Sequence, residues 1–222
     1  MIHSMKGQIK PMTPSILIIS HYYPPEIGAP QARLSEMAKT WVSSGYDVSV
    51  ITCFPNHPTG IIPDEYKGKT YQEELVDGIK VCRCRTYATP NKGFVKKLFG
   101  HLVFMFNAVL QAGKLAKDAD IILVSSPTFF SVMSAFWLSI RYKKPYIFEV
   151  RDLWPAIFKD LGVLKNKFIL DILEKWELFL YKHAKAVVTV TKSFTQDIID
   201  RGINKSKVFT ITNGVNLEFF KP

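Results

Sequence analysis

The 222-residue sequence predicts a single Rossmann-like α/β domain, doubly wound around a mainly parallel sheet of about seven strands. Three observations carry that expectation. Short apolar runs recur along the chain and alternate with stretches of helical periodicity, the order of a β-α-β protein. The runs are mostly apolar throughout, rather than apolar at every second position, as strands covered on both faces are. Each run also ends in a polar or turn-rich segment, so polar chemistry gathers where parallel strands end. An apolar share of 47% is ample for one core in a chain of this length.

Residues 1–14 carry Lys6, Lys10, Pro11 and Pro14 without a continuous apolar stretch, so they are expected to form a flexible extension, neither signal peptide nor anchor. Residues 16–19 are all apolar and form the first strand. The loop that follows exposes the backbone amides of Gly28 and Ala29, and Pro30 suits the first turn of the next helix. A phosphate could approach the backbone at Gly28, facing the positive end of that helix. Leu34, Met37, Ala38 and Trp41 mark the helix over 31–44, and Gly45 ends it.

A second strand over 48–54 leads into Pro55-Asn56-His57-Pro58-Thr59-Gly60, which places His57 just beyond a strand's carboxyl end. Residues 61–78 are polar, with turns at Pro63-Asp64 and Asp77-Gly78, and read as an excursion outside the main sheet. A third strand spans 79–87. A long helical pattern from Phe94 to Leu110 follows, with a broad apolar face. Its uncharged part, 98–113, falls short of the roughly twenty apolar residues that a spanning helix needs. Lys92, Lys96 and Lys97 cluster at its beginning, where the helix dipole disfavours positive charge. Interleaved with Phe94, Leu98 and Phe99, they suit a segment entering anionic lipid headgroups, and equally a buried crossover helix with a solvated first turn.

The fourth strand, 119–124, opens into Ser125-Ser126-Pro127, and an apolar helix over 128–142 returns the chain. The fifth, 145–150, ends in Arg151-Asp152-Leu153-Trp154-Pro155, a charged pair, a large aromatic and a proline at a carboxyl edge. Arg151 and Asp152 there are either chemistry or a salt-bridged loop. An amphipathic helix over 167–183, a strand over 186–191, a short helix over 191–201 and a strand over 208–211 complete the pattern before Asn213-Gly214-Val215-Asn216.

Several classes are excluded. Gly68-Lys69-Thr70 resembles the end of a P-loop, but Pro63 stands where the upstream glycine is required, and no G-x-G-x-x-G occurs. Nicotinamide and P-loop nucleotide sites are therefore not expected. The net charge of +10 points to an anionic partner. Nucleic acid is not expected, because the basic residues form no stripe with stacking aromatics. Cys53, Cys82 and Cys84 are too few for a disulfide framework, and Cys82-x-Cys84 lacks further ligands, so the cysteines read as buried strand residues of a reducing compartment. Glu65 and Glu73 have no scaffold that would hold them as a catalytic pair.

Tyr23-Pro24-Pro25 with Gly28, the loops 55–60 and 151–155, and the closing Asn213-Gly214-Val215 together resemble the N-terminal half of a family 4 retaining glycosyltransferase of the two-Rossmann, GT-B fold. The resemblance covers residues 15–222, and the two middle loops are similar to the bacterial surface-polysaccharide branch, which builds capsule and lipopolysaccharide. It implies a Rossmann-like domain over 15–212, the start of an interdomain linker over 213–222, and a missing C-terminal Rossmann domain that would hold most of a nucleotide-sugar donor. It also implies a lipid-linked saccharide acceptor, no metal or other cofactor, and a cytoplasmic place at the inner face of the plasma membrane. On this resemblance Gly28 and Ala29 lie near the donor phosphates, and His21, Ser126, Trp154 and Asn213 line the cleft or acceptor site. Ser125-Ser126 replaces a histidine found in other branches, which leaves Asp152, Arg151 and His57 as catalytic candidates. Lys92, Phe94, Lys96 and Lys97 would face an anionic membrane surface. Alone, the chain is expected to be inactive; the alternative is a noncatalytic acceptor- or membrane-binding subunit that pairs with a separately encoded donor domain.

Overall fold

The computed structural model describes residues 13–90, 93–126, 129–156, 162 and 164–214. The elements run β1 (Ser15–Ile19), α1 (Ala29–Ser43), β2 (Asp47–Cys53), β3 (Tyr71–Val76), β4 (Ile79–Cys84), α2 (Phe94–Gln111), α3 (Gly113–Asp118) and β5 (Ile121–Ser125). They continue with α4 (Phe129–Tyr142), β6 (Tyr146–Val150), α5 (Lys167–His183), β7 (Ala186–Thr189), α6 (Lys192–Asp200) and β8 (Val208–Thr210).

The strands form one sheet in the order β3-β4-β2-β1-β5-β6-β7-β8. Every neighbouring pair is parallel except β3 with β4. Strand order reverses at β1, which has β2 on one side and β5 on the other, and a crevice opens at the carboxyl ends of such strands. Leu17 and Ile18 are adjacent in sequence, point to opposite faces, and are both fully buried. On one face Leu17, Ile19 and Val124 meet Phe104 and Ala108 of α2 and Ala135 and Leu138 of α4. On the other, Ile18, Val50 and Val81 meet Leu34 and Ala38 of α1. This two-sided cover is why the strands read as continuous apolar runs.

Part of the segment read as an excursion, residues 71–76, belongs to the sheet. It is the antiparallel edge strand β3, which brings the count to eight. Asp77 and Gly78, with φ of 50° and 78°, form a two-residue connection between Val76 and Ile79, the left-handed pair that matches the twist of a tight hairpin. Charged side chains then fix the pairing. Lys80 meets Glu73 at 2.8 Å, and the buried guanidinium of Arg83 pairs with Glu74. Pro24 O accepts from Arg83 Nη2 at 2.5 Å, which ties the loop after β1 to this edge. β4 ends at Cys84, short of the expected 87, because the chain turns to pack on α2: Thr86 donates through Oγ1 to Gly100 O at 2.9 Å.

Candidate functional site at the carboxyl edge of the sheet

α1 begins at the switch point. Its N-cap, Gly28, provides no side-chain hydrogen bond, and the first turn holds no acidic residue. The amides of Ala29 and Gln31 thus lack a capping carboxylate or hydroxyl, while Pro30 has no N–H to satisfy, leaving the positive end of the helix available to an anion. Gly28 has extended backbone, so its small size matters through contact rather than φ. A Cβ there would lie 2.5 Å from Oε1 of Gln31, a buried side chain whose Oε1 has no hydrogen-bond partner among the described residues.

One turn further along α1, Arg33 gathers the switch point together. Its Nε donates to Oε1 of Glu149 at 2.7 Å, Nη1 to Thr212 O and Asn213 Oδ1 at 3.2 and 3.1 Å, and Nη2 to Ile211 O at 3.3 Å. Glu149, only 1% exposed on β6, also accepts from Ser125 Oγ at 2.6 Å. Next to it, Ser126 Oγ accepts from the Arg151 amide at 2.8 Å. The ends of β5, β6 and β8 and the start of α1 are therefore held by one network that contains Ser126, Arg151 and Asn213 of the expected site.

Arg151 and Asp152 form no ion pair with each other, although Asp152 still acts electrostatically on the guanidinium. Arg151 Nη1 is buried without a hydrogen-bond partner among the described residues. Burial pulls this guanidinium below its ordinary pKa and Arg33 adds to the effect, while Glu149 and Asp152 oppose it. A half-buried cation with a donor left open among the described residues has the chemistry that suits an anion.

The second group surrounds β1's other neighbour. Oε1 of Glu26 accepts from the amides of Asn56 and His57 at 2.7 and 2.8 Å, so the loop after β1 positions the loop after β2. Burial raises the Glu26 carboxyl, against the lowering effect of these amides. Gly60, with φ of 74°, brings the second loop so close to the 86–89 segment that a Cβ would meet Thr89 O at 1.8 Å, a place that only glycine can occupy. Between them is a small cavity of about 70 Å³, lined in part by His21, Tyr22, His57, Lys97 and His101. The His21 and His101 rings lie 4.2 Å apart edge to face, and Tyr22 packs on His57 at 5.5 Å. Nδ1 of both His21 and His101 is buried without a partner among the described residues. Burial, and then His101 and His57, hold His21 well below its ordinary pKa; burial and Lys97 push His101 down to about 4. Neutral imidazoles with free ring nitrogens offer hydrogen bonds to hydroxyl groups.

Not all expected site residues join these two groups. Trp154 is anchored toward α5: its amide donates to Glu177 Oε1 at 3.1 Å and its ring lies nearly parallel to Phe129 at 6.2 Å. Glu177 is held in turn by Tyr181 at 2.8 Å and Arg201 at 2.5 Å. Lys96 and Lys97 are exposed in the first turn of α2, and Lys97 borders the histidine cavity. Lys92 and the side chain of Phe94 lie outside the described residues. The sequence reading overlooked Arg33, Glu149, Glu26 and His101. Glu149 did leave a signal, since a carboxylate inside a fully apolar parallel strand has to be paired.

Residues 28–214 match the family model described as Glycosyl transferase 4-like domain. No curated protein matches the sequence. Among solved structures, sucrose-phosphate synthase from Thermosynechococcus elongatus is similar over 94% of this chain and 50% of its own, with 15% identity and a TM-score of 0.64. The catalytic domain of starch synthase IV from Arabidopsis thaliana, bound to ADP and acarbose, is similar over 93% of this chain and 52% of its own, at 13% identity and a TM-score of 0.61. Anabaena HepE in complex with UDP and glucose gives 94%, 46%, 14% and 0.56 for the same quantities. The chain thus spans about half the length of these structures and has the fold of one half of a GT-B protein. Its eight-stranded sheet with the switch point at β1 and the match over residues 28–214 agree: this chain belongs to the glycosyl transferase 4-like domain family.

Proposed function

We propose that this chain is the acceptor-side half of a retaining glycosyltransferase that moves a sugar from a nucleotide-sugar donor to a lipid-linked saccharide, at the inner face of a bacterial plasma membrane, in capsule or lipopolysaccharide synthesis. The observation that carries the reading is the uncapped N-terminus of α1 at the switch point, on the same sheet edge as the guanidinium of Arg151, whose buried Nη1 has no hydrogen-bond partner among the described residues. Backbone amides, a helix dipole and a cation together suit the phosphates of a leaving nucleoside diphosphate, whose charge grows in the transition state. The family match and the nucleotides named with HepE and starch synthase IV support the same donor class.

In this reading Gly28 and Ala29 face the donor phosphates through backbone, and Arg151 completes the anion site. Asp152, free of ion pairs among the described residues, orients or deprotonates the acceptor hydroxyl. His21 and His57, with His101, offer hydrogen bonds to the acceptor sugar, while Ser126 and Asn213 hold the edge of the cleft in shape. Trp154 borders the acceptor side by way of the 151–155 loop. Lys96 and Lys97, with Lys92, draw the chain to anionic lipid.

The test measures transfer from labelled nucleotide sugars to extracted membrane lipid, by this chain alone and with a second Rossmann domain supplied. Transfer in the second case only supports the reading. Turnover by the chain alone that survives Gly28→Val and Asp152→Asn would overturn it.

A further inference from the structure

Three helices lie side by side on the α2 face of the sheet. α4 is central: Ser134 Oγ donates to Met105 O of α2 at 3.4 Å, and the Phe136 ring meets Phe179 of α5 at 5.2 Å. Each helix buries one stripe in the core, as the pattern of a surface helix requires. Each also carries a second apolar stripe that faces outward.

On α2 that stripe includes Phe106 and Leu110, 58% and 76% exposed. On α4 it is Trp137 and Ile140, both more than half exposed. α5 continues it at helical spacing through Ile172, Trp176 and Phe179. Solvated helices of a soluble domain put charge at such positions; a contiguous apolar band of this kind marks a docking surface.

The charges choose the occupant. α2 and α4 contain no carboxylate at all, and their charged groups are Lys96, Lys97 and Arg141. The three acidic residues of α5 turn aside: Glu174 and Glu177 both bind Arg201, at 3.3 and 2.5 Å, and Asp171 lines, with Glu174 and Arg201, the cavity beside Trp154. A second copy of this chain would bring another basic band against the first, whereas an anionic bilayer complements both the aromatic stripe and its basic ends. No described helix is long and apolar enough to cross a membrane, so the contact would be interfacial.

We infer that the outward face of α2, α4 and α5 is the lipid-contact surface of this chain, with Trp137, Ile140, Ile172 and Trp176 entering the headgroup boundary of an anionic membrane. The inference rests on the reading that the chain works at an anionic lipid surface, and it moves the main contact from the first turn of α2 to the three-helix face. Lysines then steer the approach and the apolar stripes hold the chain there.

The experiment is cosedimentation of the 222-residue chain with vesicles of phosphatidylcholine alone and of equimolar phosphatidylcholine and phosphatidylglycerol. The anionic vesicles should bind more tightly, and Ile172→Ser with Trp176→Ser should weaken that binding at least about tenfold, since two large side chains no longer enter lipid. Both residues are exposed, so the melting temperature should hold. Brominated acyl chains give a measurement without a stripe variant: they should quench wild-type tryptophan emission, and Trp137→Phe with Trp176→Phe should remove most of the quenching. Binding that survives the stripe variant and is lost in Lys96→Glu with Lys97→Glu would overturn the three-helix face and leave the membrane reading standing. No binding to either vesicle would overturn both. A dimer in sedimentation equilibrium that the stripe variant dissociates would assign the face to a second copy instead.

Discussion

Replacing His101 with phenylalanine should remove that side chain's share of the stability loss that this domain suffers in mild acid. The imidazole is packed against His21 and Tyr22 and has Lys97 as a nearby cation, and its pKa is pushed down from 6.5 to about 4, first by burial and then by that lysine. With the folded-state pKa below the unfolded one, the unfolded chain takes up a proton near pH 6.5 that the folded chain refuses until about pH 4. Stability is therefore lost as pH falls between these values and levels off below them. The span from 6.5 to about 4, at about 1.4 kcal/mol per pH unit, amounts to about 3 kcal/mol. That is a large share of the ~5–15 kcal/mol that holds a typical domain together. Phenylalanine keeps a ring in the site and removes a buried nitrogen that has no partner among the described residues, so at pH 7 the variant should be at least as stable as the wild type. Groups common to both proteins cancel in the comparison, and His21, relieved of one repelling neighbour, moves in the same direction. Urea unfolding at pH 7, 6, 5 and 4 reads the difference. Parallel pH dependence in the two proteins, or a His101 resonance titrating near pH 6.5, would refute the reasoning.

Glu149→Gln strips the charge that pairs with Arg33 and should cost about 3–5 kcal/mol in chemical denaturation, with Arg33→Met in the same chain recovering part of the loss, because a lone buried cation is worse than none. Gly28→Ala forces the Gln31 amide to move from 2.5 Å, so in the enzyme completed by its second domain the donor KM should rise while the fold survives; adding Gln31→Ala should restore it. Asp152→Asn breaks no ion pair among the described residues and should shift stability by less than about 0.5 kcal/mol, yet lower turnover of the completed enzyme about a hundredfold; a drop in melting temperature with normal turnover would assign Asp152 a structural role instead.

Sequence alone determined the architecture of this protein because burial on both faces of a parallel sheet leaves a mark in each strand separately. Residues 16–19 could be nothing but apolar once Leu17 and Ile18 were to be covered from opposite sides. Placing His57 and Arg151 at strand ends followed from the same local punctuation. The edge strand escaped because its charges look like loop until Glu73 and Glu74 reach diagonally across the ladder to Lys80 and Arg83, although Asp77-Gly78 already had the chemistry of a two-residue hairpin. Only the tertiary structure could join Arg33 to Glu149, 116 residues away, or set His101 against His21, since those meetings depend on strand order and helix packing rather than on any nearby residue. It also decided which apolar residues are core. α2 is apolar on its inner and outer stripes alike, and periodicity cannot tell Ala108, buried under the sheet, from Phe106, turned outward, until a neighbouring helix covers one and leaves the other in the open.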